Sequence, residues 1–420
     1  MTDTIRFDVD SDGIALLTID LPGASMNVFN AQLMDDFEAA VDRVLSDDAI
    51  KGAVITSGKD AFLAGADLNM LSQQQSEADI KKQFEATFRL NRIFRKMETG
   101  GIPAKELART GTKPFAAAVN GLALGGGFEL VLACHYRVVA NDPRLQLGLP
   151  ESQVGLLPGG GGTQRLPRLI GIQGAAQAIT TGKPFDPMTA MGLGIIQEVV
   201  ALEDVVTKAK EWVKKSPSAL APWDKKGFKY PGGAGAMNPN AVRTFIGANA
   251  MAQKQTQHNY PAIEAILSCL YEGGIVDFDT ALRLESKYFL KLLREGTALN
   301  MIRTLFVNKQ SVEKGGLRPK GYEKNTVKKL GMLGAGMMGA GIAYVSAKVG
   351  MEVVLLDRDV ESAERGKDYS RKLVEKDVSR GKVSKEKGEA LLERIPTTAS
   401  FEDLSDCDLI IEAVFEDPEI

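Results

Sequence analysis

Glu129 and Glu151 are the residues of this 420-residue chain best suited to chemistry. Glu129 closes the run Gly-Leu-Ala-Leu-Gly-Gly-Gly-Phe-Glu (121–129), and Glu151 lies in Leu-Gly-Leu-Pro-Glu-Ser-Gln-Val-Gly-Leu-Leu-Pro-Gly-Gly-Gly-Gly (147–162). Glycines crowd where backbone passes close to other backbone or to a ligand, or adopts φ > 0. A carboxylate beside such a run can reach an atom that bulkier loops would shield. Two of them can hold one water and divide acid and base work. A single glutamate reads as an exposed or capping residue; two in these surroundings read as a catalytic pair.

A second motif lies far along the chain. Gly334, Gly336 and Gly339 match the dinucleotide fingerprint. They follow a strand-like run at 329–333 and open a helix predicted over 340–349, and Asp357 ends the next strand, 351–357. Gly334 permits the tight turn, Gly336 lets a pyrophosphate approach the backbone, and Gly339 allows close helix–strand packing. The helix N-terminus offers free N–H groups to phosphates. Asp357 suits the two ribose hydroxyls, which favours NAD over NADP. The two histidines precede this motif: His135 reads as structural and His258 as exposed.

The elements that must position these groups are legible in the pattern. Ile5, Phe7 and Val9 alternate before Asp12-Gly13, a hairpin turn, and 14–19 return as a second strand. Asn30 caps a helix with Leu33, Phe37, Val41 and Val44 on one face. Strands are predicted from Gly52, Phe115, Tyr136 and Leu145, and Asp186-Pro187 starts a helix. The first 200 residues are therefore α/β. Residues 201–325 read as a helical extension, with helices over 204–215 and 262–293 around a loop-rich stretch. Residues 326–420 begin a Rossmann-type doubly wound domain, with charged helical sequence at 360–394 and a strand at 407–414. The chain stops at Ile420 before such a sheet is complete, so the last domain is expected to be half present.

Composition narrows the function. A net charge of −3 gives no electrostatic case for nucleic acid. The three cysteines have no metal-ligand spacing, and an odd, sparse set points to buried thiols in a reducing compartment. The acidic start lacks a signal-peptide pattern, and no run is long and apolar enough to span a membrane. A cytoplasmic protein with no metal is expected.

The residues carry a family resemblance. Phe-Leu-Ala-Gly-Ala-Asp-Leu (62–68), 118–129 and 149–165 resemble the oxyanion and catalytic segments of the enoyl-CoA hydratase/isomerase (crotonase) superfamily. Residues 329–357 resemble the start of 3-hydroxyacyl-CoA dehydrogenases. The succession is similar to the α-subunits of bacterial fatty-acid β-oxidation complexes. The resemblance implies a crotonase-type ββα superhelix and a coenzyme A thioester substrate. It implies Glu129 as base and Glu151 as acid in hydration, and the N–H groups of Ala64 and Gly126 as an oxyanion hole. Ala66, Asp67 and Gly125 become substrate-binding positions. Met338, Val414, Phe415 and Glu416 join Gly334, Gly336, Gly339 and Asp357 as NAD contacts. Lys59, Lys96 and Arg165 are among the cations open to the CoA phosphates. Phe128, where many relatives carry cysteine, is expected to reshape the pocket. The dehydrogenase His–Glu pair would lie past Ile420, so this chain is expected to bind NAD without oxidising anything. A thiolase β-subunit and homo-oligomer contacts are the implied partners. Isomerase activity in the same pocket remains open, and a non-catalytic acyl-CoA scaffold that positions a thiolase is the competing reading.

Overall fold

The computed structural model describes residues 4–68, 70, 79–322 and 325–416; residues 1–3 of the acidic start lie outside them. The chain divides into two compact units, Met1–Gly316 and Leu317–Ile420.

In the first unit, β1 (Ile5–Val9) and β2 (Ile14–Ile19) pair antiparallel about the Asp12-Gly13 turn. Gly13 is required there: its φ is +80°, and a Cβ would lie 2.6 Å from the Ala49 carbonyl oxygen. Helix α1 (Ala31–Ser46) is capped by the Asn30 side chain, which accepts the Leu33 N–H. It buries Leu33, Phe37, Val41 and Val44, the face its spacing predicts. Strand β3 (Gly52–Ser57) is wholly buried. Helix α2 (Ile80–Thr99) follows, capped by Asp79. Its helical stripe is hard to read because Gln83, Asn91 and Glu98 share the buried face with Phe88, Phe94 and Met97.

Next come β4 (Phe115–Val119), β5 (Ala123–Leu124), α3 (Gly126–Ala133), β6 (Tyr136–Ala140), β7 (Leu147–Gly148) and α4 (Gly162–Thr181). With β8 (Glu198–Val200) the main sheet has the order β1-β2-β3-β4-β6-β8, parallel from β2 onward. Parallel strands covered on both faces read as continuous apolar runs, as in the all-buried Phe-Ala-Ala-Ala-Val of β4. Strands β5 and β7 form a separate parallel ladder. The strand predicted from Leu145 shrinks to Leu147–Gly148, because β5 offers only two residues to pair with and Pro150 then leads into a 3₁₀ turn.

The helical extension belongs to the first unit. It comprises α5 (Val205–Lys215), α6 (Pro239–Thr256), α7 (Pro261–Gly273) and α8 (Phe278–Arg294). The helix expected over 262–293 is two helices, split after Gly273 and restarted by the Asp277 cap. Helix α7 packs on α4 and α8 on α2, and a π-helical segment, Ile302–Asn308, follows.

The second unit has a parallel sheet, β11-β10-β9-β12. Its strands are β9 (Lys329–Leu333), β10 (Glu352–Leu356), β11 (Thr397–Thr398) and β12 (Leu409–Glu412). Helix α9 (Met337–Lys348) starts three residues earlier than its sequence pattern suggests. The charged run at 360–394 forms α10 (Val360–Ser379) and α11 (Lys385–Glu393), interrupted at Gly381, whose φ is +66°.

Candidate active site

Helix α3 presents Glu129. All eight of its residues are buried, as an otherwise apolar helix requires, and Glu129 is carried into the interior with them. Gly127 lets the helix enter: a Cβ there would lie 2.1 Å from the Leu63 carbonyl oxygen. Glu129 is 2% exposed, and its Oε1 accepts the N–H groups of Gly160 and Gly162, each at 2.7 Å. Glu151 opens the 3₁₀ turn Glu151–Val154, closed by Gly155 in the left-handed region. Its Oε2 is buried with no protein partner among the described residues. Its Oε1 lies 3.0 Å from where a Cβ on Gly125 would stand.

Both carboxyls line one cavity of about 360 Å³. Its walls are mainly apolar, from Phe29, Met34, Leu90, Phe289 and Phe306, so the two acids are polar groups in an otherwise oily pocket. Burial pushes Glu151 up to about 8. Burial also holds Glu129 well above the usual carboxylate range, helped by the charges of Glu285 and Glu151 and opposed by the Gly162 and Gly160 N–H donors. The arrangement can therefore keep a proton on a carboxyl near neutrality, which is what general-acid work needs.

The backbone beside Gly125 supplies donors. Phe29 N–H donates to the Gly65 carbonyl at 2.8 Å, and Asp67 N–H donates to the Phe29 carbonyl at 2.9 Å. That parallel bridge is centred on Ala66. The pleat turns the N–H of Ala66 to the opposite side, and Ala66 lines the cavity. Gly126 is the first residue of α3, so its N–H has no intrahelical acceptor. Gly126 N lies 3.9 Å from where a Cβ on Gly65 would stand, so the two segments run side by side.

In the second unit, Gly334 has φ +89°, and a Cβ there would lie 2.6 Å from the Ala413 carbonyl oxygen. A Cβ on Gly339 would fall 1.8 Å from the Gly334 oxygen, whereas one on Gly336 would meet nothing within 4 Å. The fingerprint glycines thus divide into two packing positions and one open position. Asp357 accepts the Ala335 N–H at 2.8 Å and the Arg358 N–H at 2.8 Å. Met338, Phe415 and Glu416 are exposed, and the Val414 N–H donates to Glu412.

Residues 10–226 match the enoyl-CoA hydratase/isomerase family. The chain belongs to that family. Residues 329–420 match the 3-hydroxyacyl-CoA dehydrogenase NAD binding domain. The fatty acid oxidation complex subunit alpha of Shewanella baltica is 35% identical over 99% of this chain and 57% of its own length. That of Pseudomonas syringae pv. tomato is 34% identical over 97% of this chain and 54% of its own. The chain thus spans a little over half the length of these curated relatives. Human mitochondrial Δ3-Δ2-enoyl-CoA isomerase shares the fold, with a TM-score of 0.50 and 20% identity over 74% of this chain and all of that one.

As a member of the hydratase/isomerase family, the chain brings together Glu129, Glu151, Gly125, Gly126 and Ala66 at one cavity. Three expectations change. The Ala64 N–H donates to the Asn27 carbonyl at 2.8 Å, so it is spent on packing; the bridge to Phe29 leaves the N–H of Ala66, two residues on, out of its pairing. Phe128 is fully buried in the core and does not line the cavity. Arg165 is also fully buried, paired with Glu98 at 2.6 Å, and so cannot reach a CoA phosphate. Lys59 pairs with Asp20, and Lys96 with Asp42. Asp67 is not among the cavity-lining residues. His135 is structural: burial lowers it to about 4, and its Nδ1 accepts the Phe115 N–H. Sequence reading missed Glu285 and Asn91, which sit behind the Gly160 loop. The signal was a charge on the apolar stripe of α8, between Leu282 and Phe289.

Proposed function

We propose that the first unit hydrates trans-2-enoyl-CoA to 3-hydroxyacyl-CoA. The observation that carries this reading is that two buried carboxyls, Glu129 and Glu151, line one mainly apolar cavity together with Ala66 and Gly126. The thioester carbonyl oxygen sits between the N–H groups of Ala66 and Gly126. When water adds to C3, the π electrons move through C2 onto that oxygen, and the donors stabilise the charge by roughly 3 kcal/mol each. The positive end of α3 adds to them. Glu129, anchored through Oε1, takes the water's proton, and Glu151 gives a proton to C2. Exchange with solvent then resets both carboxyls. The apolar walls hold the acyl chain.

Residues Gly334, Gly336, Met338, Gly339, Asp357, Val414, Phe415 and Glu416 are proposed to hold NAD, and the open face of Gly336 supports that fit. Bound NAD supplies a hydride acceptor. We further propose that the full-length protein is a 3-hydroxyacyl-CoA dehydrogenase as well, working in cytoplasmic fatty-acid β-oxidation with a thiolase partner and homo-oligomer contacts. Among the described residues no helix is long and apolar enough to cross a membrane.

The test is the loss of enoyl-thioester absorbance with crotonyl-CoA in the absence of NAD. Glu129→Gln and Glu151→Gln should each lower the rate by about 10²- to 10⁴-fold while acyl-CoA still binds. Activity that survives both substitutions sinks the assignment. A folded wild type that binds acyl-CoA without consuming it would favour a scaffold.

A further inference from the structure

The loop that anchors Glu129 is held from its other side by a third carboxylate. Four consecutive N–H groups alternate between two acids. Those of Gly160 and Gly162 go to Glu129 Oε1, while those of Gly161 and Thr163 go to Glu285 at 2.6 and 3.0 Å. Thr163 Oγ1 donates to Glu285 at 2.6 Å and Asn91 Nδ2 at 3.0 Å. Glu285 is fully buried. Burial pushes the Glu285 carboxyl up, but every partner in this set donates to it and so favours the ionised carboxylate. The loop also opens α4, which is kinked at Gly171, so both acids lie at the positive end of its first helical segment.

Nothing in the loop has room to compensate for a lost clamp. A Cβ on Gly160 would stand 2.9 Å from Glu129 Oε2, and one on Gly161 would stand 1.7 Å from Arg165 Nη1. Arg165 in turn donates to the Gly160 carbonyl at 2.7 Å. We infer that Glu285, contributed by the helical extension, is a positioning residue that holds the 160–163 loop so that two N–H groups converge on Glu129. This deepens the proposed hydration and rests on it for the role of Glu129. The helical extension then serves as part of the active-site scaffold.

Glu285 also acts through its charge. The titratable and charged groups facing this pair are Glu151 from the 3₁₀ turn, Glu98 of α2 with Arg165 of α4, and Cys269 of α7. Removing the Glu285 charge lowers the proton affinity of Glu129, because a repelling neighbour is lost.

The experiment is a ¹³C-glutamate NMR titration of the 420-residue chain, with the Glu129 carboxyl identified by its absence in Glu129→Gln. In Glu285→Gln the Glu129 midpoint should shift, downward through the lost repulsion or upward where the Gly160 and Gly162 N–H groups swing away; the acidic limb of kcat/KM with crotonyl-CoA should shift with it, and kcat should drop about 10- to 100-fold. A purely structural Glu285 would lower activity at every pH and leave the midpoint in place, which would overturn the inference. If Glu285→Gln does not fold, Thr163→Val takes one donor from Glu285 and leaves both Glu129 donors. It should lower kcat about threefold with KM unchanged; an unchanged kcat in a folded chain would overturn the inference equally. A wild type inactive on enoyl-CoA would defeat the proposed function, while the NMR midpoint would still decide the role of Glu285.

Discussion

The two glycine-rich loops of this protein use the same residue for opposite ends. In the first unit, the N–H groups at 160–163 all point to the protein's own buried carboxylates. In the second unit, the loop from Gly334 to Gly339 leaves Gly336 open and Met337 and Met338 exposed at 91% and 65%. Both loops lead into a helix N-terminus, where unpaired N–H groups favour an anion. In one case the anion is the protein's own buried carboxylate; in the other the open face of Gly336 leaves room for an anion brought by a ligand. A glycine run therefore announces an anion site without saying which side of the chain supplies the anion.

Substitution by alanine sharpens that contrast. At Gly162 a methyl would stand 2.9 Å from Glu129 Oε1 and 2.8 Å from Pro158 Cβ. Gly162→Ala should lower crotonyl-CoA hydration by about 100-fold, as displaced catalytic groups do. It should also cost about 1–3 kcal/mol in denaturant unfolding of the first unit, by overpacking. Equal activity would show that the loop does not set Glu129. At Gly336 the same methyl meets no protein atom within 4 Å. Gly336→Ala should leave stability within about 0.5 kcal/mol and weaken NAD, measured by calorimetry, by about tenfold. A loss of stability there with unchanged NAD affinity would mean that the second loop is packed like the first.

The smallest effect tests the cost of the internal acids. Glu151 sits at about 8 in the folded chain against an ordinary 4.5. Between those values the folded state keeps a proton that the unfolded chain releases, so stability falls as pH rises through that window. Glu151→Gln removes the penalty. Its melting temperature should match wild type near pH 4.5 and exceed it by about 3 °C at pH 8. A gain confined to acid pH would reverse the sign and refute the burial argument.

Much of this was legible in the residues. The ββα alternation, the Asn30 cap, the face of α1 and the fingerprint glycines rest on local rules of periodicity and backbone freedom. Helix α2 was not, because its buried face carries Gln83, Asn91 and Glu98. Those polar groups make sense only with their partners in place. Glu98 pairs with Arg165 and Asn91 with Glu285, 67 and 194 residues away.

The chain's order of residues was enough to place two carboxylates and two glycine loops, the second with a dinucleotide fingerprint, by residue type and short spacing; that a hydratase/isomerase unit comes first was what the family resemblance implied. Folding in three dimensions decided which N–H groups are left to do chemistry. Ala64 and Ala66 both line the cavity and are alike in side chain, yet the Ala64 N–H is consumed by Asn27 while the bridge to Phe29 leaves the Ala66 N–H out of its pairing. It decided too that Glu285 of the helical extension stands behind the 160–163 loop. A backbone hydrogen bond has no side-chain signature, and a contact across more than a hundred residues has no spacing, so neither can be read until the chain has closed upon itself.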